Sequence, residues 1–313
     1  MKRKAYIASA AHISAQKPFC GIEVFVPLAW EGALVPCQDP DFRPFIPPMA
    51  ARRMSSILKR SIAVSKYALE KAGISCPEAI VGGTGLGCVT DTEAFLRKML
   101  EDGEYMLNPS RFICSTPNTI GSQIAISLGC RGFNSTHVND RFAFEGALME
   151  SLLLLGNGEA ENVLLCAADQ MPEVLHSLVD RQGLWKGRPA SEAALSFVLS
   201  SARENAVCEV IDVVQTRSNP SQELSRLLSA NSIDEIDICV TSDLPSGKTS
   251  NFSFIPQEKM TYKQYCGDFF TASAFGLFVC SELIRTGKAK KILLAEESRG
   301  TYSFTLIGGL CTN

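Results

Sequence analysis

From residue 79 onwards, short continuous apolar runs alternate with longer stretches in which apolar residues recur every three or four positions. That pattern predicts buried strands separated by helices, an α/β chain. Ala79 to Gly83 reads as a strand and Asp91 to Leu100 as a helix. Ile120 to Leu128 is a helical apolar patch ended by Gly129, and Ser135 to Val138 is a short strand of alternating polarity. Phe142 to Leu155 is an apolar helix stopped by Gly156 and Gly158, followed by a fully buried strand from Asn162 to Ala168. Strands are expected at 193–200, 208–214, 236–241, 291–296 and 302–307, with helices at 222–228 and 269–284. Before residue 79, the first fourteen residues alternate like an edge strand, and 17–50, rich in Pro and aromatics, read as ordered loop. Met49 to Ala72 reads as one long amphipathic helix with Met54, Ile57, Leu58, Ile62, Val64 and Leu69 on its apolar side and Gly73 at its end.

The strand before Phe142 feeds straight into a helix, so residues 139–142 sit at a helix N-terminus. There the free amides and the dipole favour a thiolate, an oxyanion or a phosphate. What stands there is Asn139-Asp140-Arg141-Phe142, with no Ser, Cys or His. The same plan recurs later in the chain. Residues 138–169 and 266–298 each run from a polar turn with an Asp, through an apolar helix, into Gly-x-Ala-x-x-apolar-Leu-Leu. Gly158, Ala160, Leu164 and Leu165 correspond to Gly287, Ala289, Leu293 and Leu294. Two similar halves packed together, with a site between the two helix N-termini, follow from such a duplication.

Composition narrows the function classes. The chain has 313 residues, 46% hydrophobic and 20% charged, with a net charge of −3 and no basic run, which argues against nucleic acid as a partner. No apolar segment has membrane-spanning length, and the basic opening MKRK lacks a signal-peptide core. The twelve cysteines form no CxxC pair and no zinc-ligand spacing, and several lie inside apolar runs, so a reducing cytoplasm is the plain reading and no metal or cofactor is expected. The glycine run GTGLG (83–87) lacks the Lys-Ser/Thr of a phosphate loop and reads as a tight strand-to-loop turn.

Residues 52–74, 79–96 and 116–132 resemble the N-terminal half of β-ketoacyl-acyl carrier protein synthases, as do 158–170 and 191–201. Residues 261–276 and 298–307 keep the family's shape more weakly. The resemblance implies a thiolase-like αβαβα sandwich of two duplicated halves, 1–201 and 202–313, with the second shortened, forming dimers. It also implies a Cys nucleophile at the helix N-terminus and two His residues. The nucleophile position falls on Arg141, the first His near Ser242 and the second on Asp268, while the family's lysine is kept as Lys263. No catalytic triad is therefore expected. In its place, an ion pair of Arg141 with Asp268 or with Asp140 is expected to fill the former site, because an Arg at a helix N-terminus needs a facing anion. Nearby, His137 reads as a core or interface residue, Cys266 as a packed thiol or a displaced nucleophile, and Cys114 and Cys130 as structural. His12 and His176 are remote.

The family contains chain-length-factor subunits that lack the nucleophile and pair with a catalytic ketosynthase in type II polyketide and aryl polyene or flexirubin pathways. On that resemblance the expected partners are a catalytic ketosynthase and an acyl carrier protein, in a homo- or heterodimer. Phe142, Phe144, Phe269 and Phe270 would line an apolar chain tunnel or serve as ordinary core aromatics. Arg52, Arg53, Lys59 and Arg60 would dock the acidic carrier or form a solvated face. Two other readings stay open: an active condensing enzyme or acyltransferase with a relocated nucleophile, and a homodimeric protein that binds an acyl chain or the carrier.

Overall fold

The computed structural model describes residues 4–29, 34–103, 105, 107, 109–183, 189–243 and 250–310. Its first half holds strands β1 (Ala5–Ile13), β2 (Leu34–Val35), β3 (Ala79–Gly83), β4 (Phe133–His137), β5 (Asn162–Asp169), β6 (Ala190–Ser191) and β7 (Ala193–Ser200). Strands β8 (Cys208–Thr216), β9 (Ile238–Thr241), β10 (Lys259–Thr261), β11 (Lys291–Ser298) and β12 (Thr301–Gly309) follow. The first five helices are α1 (Pro48–Ala51), α2 (Ser56–Ala72), α3 (Val89–Asp102), α4 (Pro109–Cys114) and α5 (Thr119–Leu128). The remaining five are α6 (Ala143–Asn157), α7 (Glu173–Arg181), α8 (Pro220–Ala230), α9 (Lys263–Cys266) and α10 (Ser273–Arg285).

Ten strands form one mixed sheet in the order β10-β9-β11-β12-β8-β1-β7-β5-β3-β4. Read outwards from the β8–β1 junction, the two sides are copies. In each, an antiparallel strand pair leads to a third antiparallel strand and then two parallel ones. The duplication seen in the sequence is thus a duplication of topology.

Period-2 alternation sorts the side chains into layers. Val163, Leu165 and Ala167 of β5, with Ile292 and Leu294 of β11, join the core around α6 and α10. Leu164, Cys166 and Ala168 point the other way, onto α2 and α5. Leu293 and Ala295 of β11 pack with Leu224 and Leu227 of α8. Helices, one five-stranded half of the sheet, the central helices, the other half and a further helix make the five layers of a thiolase-like αβαβα sandwich. The central layer is α6 with α10, and both begin at the same end of the molecule.

Three details differ from expectation. β1 is not at an edge: it lies mid-sheet between β7 and β8. A bulge at Ala8 explains its odd pattern, sending Ala5 and Ile7 into the central core but Ala11 and Ile13 into the α2 side. The helix expected over 49–72 is broken at 52–55, where α1 closes in tight turns and Ser55, in extended conformation, restarts the chain as α2. The helix expected from Phe269 begins at Ser273. Gly267 (φ 72°) turns the chain, and Asp268 is then held strand-like, its amide donating to Pro189 O (2.8 Å) and its carbonyl accepting from Ser191 N (2.9 Å). A disulfide also links Cys76 to Cys130 (Cα–Cα 5.9 Å), tying the segment after α2 to the segment after α5. Cysteine spacing gave no sign of it. No helix among the described residues is long and apolar enough to cross a membrane.

The start of α6 lies hard against β3. A Cβ added at Gly83 would come within 2.8 Å of Ala143 O and 2.9 Å of Phe144 Cα, both backbone atoms that cannot swing away. Gly83→Ala is expected to lower stability by about 1–3 kcal/mol, the usual cost of overpacking. Urea denaturation checks this, and an unchanged midpoint would contradict the close approach.

Candidate functional site

The turn into α6 is built by backbone conformation. After β4, Asn139 is partly extended and Asp140 adopts φ 49°, a left-handed conformation that Asp tolerates better than most residues. A single 3-10 turn over Asp140–Phe142 then delivers Arg141 to the head of the helix, facing the other half. From that half, the Gly267 turn presents Asp268.

Arg141 Nη1 donates to Asp268 Oδ1 at 2.7 Å, and Lys263 Nζ reaches the same oxygen at 3.0 Å. Asp268 is fully buried, and the Lys263 and Arg141 side chains are only 3% and 13% exposed. Burial opposes the Arg141 charge, but Asp268 beside it holds the guanidinium more firmly protonated than usual. The Phe270 ring lies under the guanidinium, 6.0 Å from its centroid. Next to this trio, Tyr262 donates its hydroxyl to the buried carboxylate of Glu296. Burial raises the Glu296 pKa against the pull of Lys263 and Arg141. Glu145, in the first turn of α6, is a third buried carboxyl: burial and then the Glu296 charge push it up to about 8, so it stays protonated at neutral pH. The Ser273 hydroxyl at the head of α10 lies beside it.

The other residues singled out in the sequence separate clearly. Asp140 does not pair with Arg141; it faces Arg299 on the β11–β12 turn at 3.5 Å. Ser242 is buried at the end of β9, and its hydrogen bonds go to Ala295 and Glu297 of β11. Phe144 packs on Phe197 (5.8 Å between centroids) and Phe269 is fully buried, both in the central core. Phe270 packs with Met171, Val179 and Ala190, and Phe142 is half-buried. Cys266 is a packed thiol: burial raises its pKa well above the usual value, and it donates to Gly267 O at 3.2 Å. His137 donates to Glu150 at 2.8 Å, an oxygen that also accepts from Ser135. His12 donates from Nε2 to Cys20 O and accepts from Ser14 at Nδ1, among three Phe rings. Burial lowers it to about 4, so it stays neutral. His176 lies half-buried on α7, and Cys114 borders a surface cavity. Arg60 is not a docking residue. It is buried and paired with Asp39 (2.5 Å) and Glu192 (2.7 Å).

Sequence reasoning missed Tyr262, Glu145, Glu296 and Asp169. The last ends β5 and fastens the halves together. It accepts from the Thr84 hydroxyl (3.1 Å) and Gly85 N (2.8 Å) on one side, and from Thr271 N (2.7 Å) and its hydroxyl (2.6 Å) on the other. The glycine run thus serves a carboxylate of the chain itself, with Gly85 also leaving room for the Phe270 ring. In the second repeat Ser298 stands at the matching position, so the duplication gave no hint of Asp169. Among the described residues, no group of three or more His, Cys, Asp and Glu is arranged to hold a metal ion. Chemically, the cluster can hold charge and fix the two helix heads. It sets a guanidinium and a carboxylate between those two heads.

The sequence model described as "Beta-ketoacyl synthase, N-terminal domain" matches residues 28–247. None of the curated proteins matches the chain. Among solved structures, a type II polyketide synthase acyl-carrier protein in complex with its ketosynthase bound to a hexaketide is similar at TM-score 0.83 and 14% identity, covering 99% of this chain and 100% of that one. The ishigamide ketosynthase/chain length factor gives TM-score 0.81 at 15% identity, covering 98% and 100%. A β-ketoacyl synthase from Burkholderia phymatum gives 0.79 at 12% identity, covering 99% and 100%. At these identities the likeness is one of fold.

Two stability measurements probe the cluster. Asp268→Ala leaves Arg141 and Lys263 buried together without their carboxylate and is expected to cost about 3–5 kcal/mol. Arg141→Met, which leaves Lys263 to neutralise Asp268, is expected to cost clearly less; equal losses in urea denaturation would contradict the shared carboxylate. Glu145 gives a pH signature. Its folded pKa lies above the unfolded carboxylate value, so the folded state keeps a proton that the unfolded state releases. The stabilisation is complete below the unfolded pKa and fades as pH rises towards 8, by up to about 1.4 kcal/mol per unit. Glu145→Gln should flatten that slope between pH 5 and 8, and an unaltered slope would place the titration elsewhere.

Proposed function

We infer the role of this chain from one premise: it belongs to the β-ketoacyl synthase family. The reading supported best is a non-condensing, ketosynthase-like subunit of polyketide or related acyl-chain biosynthesis, acting beside a catalytic ketosynthase as chain-length factors do. The observation that carries it is the Arg141–Asp268 ion pair, 2.7 Å long and buried, at the two positions where the family places its Cys and one His. A thioester cannot be attacked by a guanidinium, and a carboxylate at Asp268 would repel the oxyanion it had to stabilise. The relocated-nucleophile reading is weakened by Cys266, whose buried thiol is held protonated.

In this reading the catalytic ketosynthase pairs along β4. That strand ends the sheet, and Phe133 at its start and Val138 just past its end are both exposed. The carrier protein docks through Arg52, Arg53 and Lys59, with Arg60 removed from that set by its buried ion pairs. Phe142 and Phe270, which flank Arg141, are the two aromatics we place against a growing chain. The segment between β7 and β8 is the junction of the two halves, and the setting is cytoplasmic, where a carrier protein and ketosynthase would meet it.

Co-expression with ketosynthases of the same genome, followed by affinity purification and size exclusion, tests this directly. A one-to-one complex is expected, lost on Phe133→Asp with Val138→Asp. A chain that binds no ketosynthase and pairs only with itself would overturn the partner-subunit reading.

A further inference from the structure

Helices α2 and α5 pack together, and each closes on a glycine in the left-handed conformation, Gly73 and Gly129. The chain leaving them brings Cys76 and Cys130 to a Cα–Cα distance of 5.9 Å, with the two sulfurs bonded. Both cysteines stand just ahead of a strand, for β3 starts at Ala79 and β4 at Phe133. The two strands are parallel and pair from their first residues, Ala79 beside Phe133, and Phe133 N donates to Glu78 O at 3.2 Å. The bridge therefore ties the head of β4 to the head of β3. That tie matters because β4 ends the sheet and has β3 alone as its strand neighbour among the described residues. The end of an edge strand held on one side opens easily unless something fixes it.

The bridge is also open to solvent. Cys76 is exposed and Cys130 half-buried, whereas the free cysteines among the described residues are all buried or half-buried. The three half-buried ones, Cys20, Cys37 and Cys114, have thiols pushed up by burial, which leaves them poor in the thiolate that exchange requires. Among the described cysteines, the bridged pair is thus the place where a small thiol can reach and react.

We propose that Cys76 and Cys130 form an exchange site for low-molecular-weight thiols of the glutathione class, and that the state of the pair sets how firmly the head of β4 is held. A glutathione thiolate attacks one bridge sulfur, the Cys76–Cys130 bond breaks, and the displaced thiolate takes a proton from water. A second glutathione resolves the mixed disulfide, so two electrons pass to the cysteines and one oxidised glutathione is released. Oxidised glutathione drives the same steps in reverse. Any effect on ketosynthase pairing along β4 rests on the reading above; the exchange and the tightening of β4 do not.

The full chain, equilibrated in mixtures of reduced and oxidised glutathione, quenched in acid, alkylated and mapped by peptide mass, tests the site. Cys76 and Cys130 are expected to gain and lose alkylation together across the series, and Cys114→Ser should leave that response unchanged. Hydrogen exchange of the amides at 133–135 is expected to be about tenfold slower in the bridged form. Cys76→Ser with Cys130→Ser should exchange like the reduced parent in every mixture. A pair that stays alkylated in excess oxidised glutathione would overturn the proposal. So would a bridge that excess reduced glutathione leaves closed in the folded chain, since that is a fixed staple. Equal exchange at 133–135 in both forms, or a redox response there that persists in the double variant, would overturn the control of β4.

Discussion

One buried carboxylate, Asp268, organises the centre of this molecule. It cannot stay ionised in a dry interior without partners, and among the described residues Lys263 from its own half and Arg141 from the other supply cations to it. Each partner sets a requirement on the backbone. Arg141 reaches it because Asp140 takes up a left-handed conformation and a single 3-10 turn follows. Asp268 is presented because Gly267 turns and the next residue is pinned between Pro189 and Ser191. That pinning delays α10 to Ser273. The heads of both central helices are therefore positioned by the same ion pair, reinforced by Asp169, which binds the glycine turn of one half and Thr271 of the other.

Such a centre contributes specificity more than stability. Removing charges from water costs about as much as their attraction returns, so the pair is nearly neutral as a whole but severe to break on one side. It fixes how the halves meet. Beside the pair, Glu145 is held neutral, its pKa pushed up to about 8 by burial and by the Glu296 charge.

The sequence carried the strands and central helices well, because fully buried strands and apolar helices bounded by glycines leave strong periodic signals. Gly73, Gly129 and Gly158 each end a helix in the left-handed conformation their sequence position suggests. The duplication was legible for the same reason. β1 was misplaced since a bulge at Ala8 reverses which face its residues bury, and no local pattern reports a bulge. The break at 52–55 and the late start of α10 arise from tertiary hydrogen bonds and from a serine whose role local propensity does not decide. The resemblance singled out Arg141, Asp268 and Lys263, which the fold brings into contact, and electrostatics at a helix head called for an anion facing Arg141, with Asp268 and Asp140 both candidates. Glu145, Glu296 and Tyr262 were hidden because each sits in an ordinary amphipathic context; only the fold brings the three together. Arg60 looked like its exposed neighbours until Asp39 and Glu192 were seen to enclose it.

The central claim is that the ion pair stands where a nucleophile would be and that none has moved elsewhere. Intact-mass analysis of the purified chain, after incubation with acyl- and malonyl-charged carrier protein under conditions that acylate a catalytic ketosynthase, addresses it most directly. An unchanged mass is the predicted result. An acyl-sized increase, lost when a single residue such as Cys266 is replaced by Ala, would contradict the account and identify the nucleophile.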